Sequence, residues 1–294
     1  MREILFHDGN TIPQVGFGTA AIGDMHQDDE HVTHTVLTAL NAGYRHIDTA
    51  SFYGNERSVG AAIKASGIPR DELFITTKVW DTQQGFDSTL KACNESLDRL
   101  GLEYVDLYLV HWPYPEKTKA TWQAMEQLHS EGKVRSLGLS NFRQTDIESL
   151  LEFAKVKPVY NQLELHPYMT QKPLVAFCES VGIVVSCWSP LGSGNWNDID
   201  SSEKPVNDDV IIEMAKKYAV SVGQIILKWD VQQGRIVIPK SESESHIRGN
   251  ITLDDFTLTD DELTQIDNLN QDRRFGDDPD DAWQANLDRP VPSR

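Results

Sequence analysis

LFITTKVWDTQQGFDSTLKACNESLDRLGLEYVDLYLVH, residues 73–111, is the stretch that decides the fold. It opens on a β-branched and aliphatic run, 73–78, and closes on another, 105–111. Between them, residues 83–100 repeat apolar positions every three or four residues, the period of an amphipathic helix. Strand, helix, strand is the mark of a parallel pair joined by a crossover. The alternation continues outward on both sides. Strand candidates at 15–18 and 46–48 precede it, and others at 134–140, 159–164, 183–188 and 236–239 follow, with helical patterns such as 118–130 between them. Eight such units over about 250 residues is the arithmetic of an α/β fold of the (β/α)8 TIM barrel kind. A doubly wound open sheet would alternate in a similar way. Residues 3–12, with Asp8-Gly9-Asn10 at their centre, read as an N-terminal β-hairpin. A loop and tail follow the last strand, and no Pro/Ser-rich linker divides residues 1–294, so a single domain is expected.

The polar residues are unevenly placed on these strands. Asp48 closes the second, Lys78 the third, His111 the fourth, Ser140 and Asn141 the fifth, Gln162 and Glu164 the sixth, and Lys240 follows the eighth. In a barrel all these ends meet at one mouth, where barrel enzymes hold their chemistry. Singly, each residue could be doing no more than capping a strand; an Asp, a Lys and a His together point to a site. Tyr53 follows Asp48 by five residues. A lysine beside it favours phenolate over phenol, which would lower a pKa that starts near ~10 and make the hydroxyl a better general acid. His111 would orient a carbonyl oxygen or share the proton. Trp80, Trp112 and Phe52 are candidates for an apolar wall near a reacting carbon, with Trp196 and Trp283 as weaker, loop-borne ones.

Composition narrows the partners. Against 45 Asp+Glu the chain has 27 Lys+Arg, a formal charge of −18, and no basic cluster longer than a pair, which argues against nucleic acid and anionic membranes. Eleven acidic residues between Asp254 and Asp281 face only Arg273 and Arg274, and read as a solvated helix and tail. No apolar run approaches the ~18 residues of a membrane span. Three cysteines without CxxC spacing argue against a disulfide framework or a zinc site, and a cytoplasmic location is expected. His31 and His34 lack a third ligand, and no metal is expected. The pair His46 and Asp48 resembles a metallohydrolase strand, but residues 15–18 offer no further ligands.

Several stretches, taken in order, resemble the aldo-keto reductases: GYRHIDTASFYGNE (43–56), FITTKVW (74–80), DLYLVHWP (106–113), LGLSNF (137–142), YNQLELHP (160–167), WSPLGSG (188–194) and IPKS (238–241). The subgroup most resembled is the prokaryotic one of 2,5-diketo-gluconate and glyoxal/methylglyoxal reductases. The resemblance implies an enzyme that reduces small aldehydes, dicarbonyls or keto-sugars with NADP(H), as a monomer. It makes Tyr53 the general acid, Lys78 the group that lowers its pKa, Asp48 the carboxylate holding Lys78, and His111 the orienter of the carbonyl. It also implies that Ser140, Asn141 and Gln162 hold the nicotinamide carboxamide and that Trp188, usually tyrosine in relatives, stacks on the ring. Ser189, Leu191 and Ser193 would lie along the pyrophosphate, with Lys240, Ser241, His246 and Asn250 at the adenosine end. Since this family binds its dinucleotide without a Rossmann domain, the lack of GxGxxG is neutral.

One departure bears on the cofactor. NADP(H)-preferring relatives commonly carry arginine where this chain has His246, and a neutral histidine is a weaker phosphate partner. Glu242 and Glu244 add negative charge beside it, so use of NAD(H) becomes plausible. Two rival functions stand against reduction: a Schiff-base lyase with Lys78 as a neutral nucleophile, and a redox-sensing binding module that retains fold and cofactor without turnover.

Overall fold

The structure, a computed structural model, describes residues 2–23, 29–192 and 200–292. Ten strands are present among them: β1 (Glu3–Leu5), β2 (Thr11–Pro13), β3 (Gly16–Gly18), β4 (His46–Asp48), β5 (Phe74–Val79), β6 (Val105–Val110), β7 (Val134–Ser140), β8 (Tyr160–Glu164), β9 (Val184–Trp188) and β10 (Ile236–Val237). β1 and β2 form the antiparallel hairpin. The other eight make one parallel sheet in sequence order. Its two edges meet. Val15 bridges Val237 in parallel, Val237 N donates to Gln14 O at 3.0 Å, and Gly18 N donates to Pro239 O at 3.1 Å. A doubly wound sheet would leave both edges open, so this contact decides for the barrel.

Why the strands sit as they do follows from parity. β5 and β6 are buried at every position, as parallel strands covered on both faces must be. On β6, Tyr108 and Val110 point outward into the layer shared with the helices, whereas Leu107 and Leu109 point inward. The inward set also takes Phe74, Tyr160 and Ile236, and the hairpin side chains Phe6 and Ile12 plug the bottom of the barrel. The helix Phe86–Leu100 lays Thr89, Ala92, Cys93, Ser96, Leu97 and Leu100 against the outside, a stripe at helical spacing, and ends at Gly101 in the left-handed region. His46 belongs to the interior packing: a Cβ at Gly16 would lie 2.4 Å from its ring, and its Nε2 is 3.2 Å from Thr76 Oγ1. Burial lowers its pKa to about 4. It therefore fills space as a neutral ring.

The inward parity, carried to the upper ends of the strands, delivers Asp48, Lys78, Ser140, Gln162, Glu164 and Trp188 to one mouth, with His111 one step beyond β6. The acidic C-terminal stretch departs from the expectation of a solvated tail. The helix Asp260–Asp267 is half exposed, with Glu262 and Ile266 buried, and beyond it Phe275, Ala282 and Asn286 are buried. Apolar and amide side chains interspersed among the carboxylates give the segment something to bury, and it folds back over the mouth.

Candidate active site

Lys78 is at the centre of the mouth, fully buried near the end of β5. Its ammonium has three N–H bonds and three acceptors: Asp48 Oδ1 at 2.6 Å, Thr49 O at 2.9 Å and Tyr53 Oη at 3.2 Å. A buried charge is tolerated when paired and fully hydrogen-bonded, and this one is both. Burial alone would pull the Lys78 pKa down; the Asp48 charge and the phenol overcome it, and the net shift is upward. Asp48 is held in turn by Gln162, whose Nε2 donates to Oδ2 at 2.8 Å. Lys78 is thus a locked ammonium. The free amine that a Schiff-base lyase needs is absent.

Tyr53 lies on a single 3-10 turn, Ser51–Tyr53, that follows β4. With Lys78 donating to its oxygen, the phenol's own proton is left to donate elsewhere. Proximity to Lys78 was expected to bring the Tyr53 pKa down. The net shift is instead upward, because burial outweighs the lysine charge and Asp48 works in the same direction as burial. The proton is held, which is the state an acid must be in before it gives one up. His111 stands edge-on to Tyr53, ring centroids 5.6 Å apart at 80°. Burial, and then the Lys78 charge, hold it well below the ordinary histidine pKa, so the imidazole is neutral. Its buried Nδ1 finds no protein partner.

Phe52, Trp80 and Trp112 are brought together in one aromatic cluster. Phe52 stacks on Trp80 at 3.7 Å and 13°, Trp80 meets the His111 ring edge-on at 5.0 Å, and Trp112 packs into the same cluster. Trp283 stacks instead on Tyr114 at 4.8 Å, anchoring its own segment. Trp196 and Ser193 lie outside the described residues. The C-terminal cover on this wall was not legible from the chain. Trp80 Nε1 donates to Arg289 O at 2.7 Å, Ala282 and Val291 join the aromatic cluster, and a Cβ on Gly54 would lie 3.1 Å from Pro292. Asn286 Nδ2 donates to Asp81 Oδ2 at 2.6 Å, and Gln84 donates to Oδ1 at 2.8 Å. Neither Asn286 nor Asp81 sits in a pattern that periodicity could flag.

Further round the mouth, Ser140 and Gln162 are register partners on β7 and β8. Asn141, at φ 64°, donates to His111 O at 3.0 Å and to Ser140 Oγ at 3.1 Å, and accepts from Trp188 Nε1 at 2.8 Å. Trp188 is half-buried at the end of β9. Ser189 follows in the left-handed region, φ 48°. Leu191 and Asn250 converge on Gly223 at the start of helix Val222–Gln232: a Cβ there would lie 3.7 Å from the Leu191 methyls and 3.6 Å from Asn250 Oδ1. Lys240, Ser241 and His246 form an outer rim. Lys240 Nζ donates to Glu242 Oε1 at 2.6 Å, and His31 pairs with Oε2 at 2.7 Å. Arg248 is tied to Glu244 one helical turn away.

Fold and site together define the class: a parallel α/β barrel enzyme with a buried lysine-backed tyrosine and a neutral histidine at its mouth. The aldo/keto reductase family model matches residues 14–271, and the chain belongs to that family. It is 44% identical over 280 residues to a 9,11-endoperoxide prostaglandin H2 reductase of Trypanosoma cruzi, covering 95% of each chain. It is 43% identical over 278 residues to a glyoxal reductase of Bacillus subtilis, covering 95% of this chain and 96% of the relative. Among solved structures, the aldo-keto reductase of Bombyx mori in complex with NADP superposes with a TM-score of 0.86 at 39% identity over 96% of each chain. The protein is an oxidoreductase that reduces carbonyl groups. Among the described residues no helix is long and apolar enough to cross a membrane.

Proposed function

We propose that the protein reduces small aldehydes, dicarbonyls or keto-sugars to alcohols with Tyr53 as general acid, using NADP(H) and accepting NAD(H). The observation behind this reading is the threefold coordination of Lys78, which leaves the Tyr53 proton directed to a substrate. The site suits a nicotinamide. A primary carboxamide needs one acceptor and one donor. Gln162 Oε1 is an acceptor not engaged by Asp48, and Ser140, already accepting from Asn141, has its O–H to give. Trp188 offers a flat face beside them. When bound, the reduced nicotinamide supplies the hydride.

As hydride reaches the carbonyl carbon, negative charge builds on oxygen. Tyr53 donates its proton to that oxygen, and Lys78 stabilises the phenolate left behind. A neutral His111 contributes an N–H to the same oxygen and so orients it. Phe52, Trp80 and Trp112 exclude water from the reacting carbon. Fixed donors in a dry pocket need little reorganisation as the charge forms.

Weakened discrimination between NADPH and NADH rests on the rim. Burial disfavours the Glu242 carboxylate, but its bonds to Lys240 and His31 win and its pKa is lowered. An ionised Glu242 therefore occupies the Lys240 ammonium and the His31 ring, the groups on this rim that would otherwise be open to a ribose phosphate. The acidic surface supports activity on a small molecule and neither nucleic acid nor membrane as partner, and the family suggests a cytoplasmic monomer of one domain. Tyr53→Phe tests the central assignment: we expect kcat for methylglyoxal or nitrobenzaldehyde to fall at least ~100-fold while NADPH binds as before. A variant that turns over at the original rate refutes it.

A further inference from the structure

Glu164 is a fully buried carboxylate at the end of β8, beside Trp188 in the β8/β9 register, and the reaction as described makes no use of it. Its acceptors are all turned on the C-terminal segment and one histidine. Oε1 accepts from the backbone N–H of Phe275 and Gly276 and lies 3.2 Å from His166 Nε2; Oε2 accepts from Gly276 N at 3.2 Å and Arg274 Nη1 at 3.1 Å. Residues 274–276 have no ladder of their own to satisfy these backbone donors, so the carboxylate stands in for one. Phe275 adds a stacking contact with the His166 ring, 4.7 Å between centroids.

The clamp brings Gly276 against the indole. A Cβ there would lie 2.3 Å from Trp188 Cη2 and 3.1 Å from Cζ3. No side chain fits that contact unless the ring moves. At its other edge the same indole donates through Nε1 to Asn141 Oδ1 at 2.8 Å. Trp188 is therefore gripped at both ends, and Asn141 is tied by its amide to Ser140 and to the His111 carbonyl.

We propose that Glu164 and Gly276 are positioning residues for cofactor binding: the carboxylate pins the 274–276 backbone, and the bare Cα of Gly276 seats the Trp188 indole where it bonds Asn141. This rests on Trp188 being the stacking surface for the nicotinamide. The C-terminal segment thus reaches the cofactor side of the mouth as well as the aromatic wall.

The test is calorimetric titration of NADPH into the variants, with a melting curve to establish that each is folded. Trp188→Ala should loosen NADPH by about tenfold, the scale of a lost aromatic stack. Gly276→Ala should loosen it comparably by displacing the ring. Combining Gly276→Ala with Trp188→Phe should return binding to that of Trp188→Phe alone, since phenylalanine lacks the edge the new methyl meets. Glu164→Gln, which retains shape but replaces one of the two acceptor oxygens with an NH2 donor, should loosen NADPH several-fold, and that loss should vanish in the Trp188→Phe background. Wild-type binding by Trp188→Ala overturns the stacking reading and the proposal together. Weakened binding by Trp188→Ala with wild-type binding by Gly276→Ala, or additive losses in the double variants, overturns the proposal alone.

Discussion

Replacing Asp48 with Asn removes one charge from a buried site and little else. The carboxylate is 3% exposed, 2.6 Å from Lys78 Nζ and 2.8 Å from Gln162 Nε2. Taking away one member of a buried ion pair costs about 3–5 kcal/mol, because the other charge remains without a counterion. Asparagine retains an acceptor for Lys78, and the Gln162 amide can turn to accept from the new NH2, so the low end, about 3 kcal/mol, applies. At ~2.1 cal/mol/K of unfolding entropy per residue, a chain of 294 residues then loses about 5 °C in Tm. The catalytic effect has a recognisable form. Burial pulls the Lys78 pKa down and Asp48 raises it, so without Asp48 the ammonium gives up its proton at a lower pH than in the native enzyme. We expect kcat/KM at pH 7 to fall about 100-fold or more, and to fall further with rising pH, starting at a lower pH than any such loss in the native enzyme. The assays are a thermal melt and a pH–rate profile on one small aldehyde with NADPH. A variant that retains the native rate, or loses rate by the same factor at every pH, refutes the claim that Asp48 maintains the lysine charge.

The rim and the cover each give a further prediction. Glu242→Gln frees Lys240 and His31; pairs this exposed are worth only ~0.3–1 kcal/mol, so the ratio of kcat/KM for NADPH over NADH should rise about fivefold at low salt and less at high salt. An unchanged ratio would separate Glu242 from cofactor choice. Burial pushes the Asp81 pKa up to about 7, against the hydrogen bonds from Asn286 and Gln84, which lower it. A carboxyl raised by folding adds stability that is complete below about pH 4 and is lost as pH climbs through about 7. Tm should therefore decline from about pH 4 to 7 and level off above, and Asp81→Asn should flatten that decline. The buried Gln84 Oε1 and Asn286 Oδ1, which find no protein partner, are available to accept from the new amide. Equal slopes in the two proteins would count against Asp81 as the titrating group.

Much of this was legible from the chain alone, for identifiable reasons. Strand identity follows from short apolar runs at 73–78 and 105–111, and strand faces follow from a period of two, so Asp48, Lys78 and Gln162 could be assigned to one mouth without coordinates. Barrel against open sheet was not decided that way, because it depends on whether Gln14 and Val15 reach Val237, a contact between residues over 220 positions apart. The net direction of the Tyr53 pKa shift was not legible for a related reason. Adjacency to a lysine is visible in a motif, whereas desolvation depends on how completely the mouth is enclosed, and here it is the larger effect.

The C-terminal segment marks the same boundary most sharply. By composition, residues 254–281 are an acidic, solvated stretch; Asp260 and Asp261 are exposed, while Glu262 of the same helix is buried against Lys217 and Tyr218. Beyond it, single residues spaced without period dock on distant ones: Phe275 and Gly276 on Glu164, Asn286 on Asp81, Arg289 O on Trp80. Which side chains the barrel presents could be read from the chain, because local periodicity orients each strand independently of the rest. What holds them in place could not, because the clamp on Trp188 and the cover on Trp80 join distant parts of the chain, 209 positions apart for Trp80 and Arg289, and local pattern says nothing about such pairings.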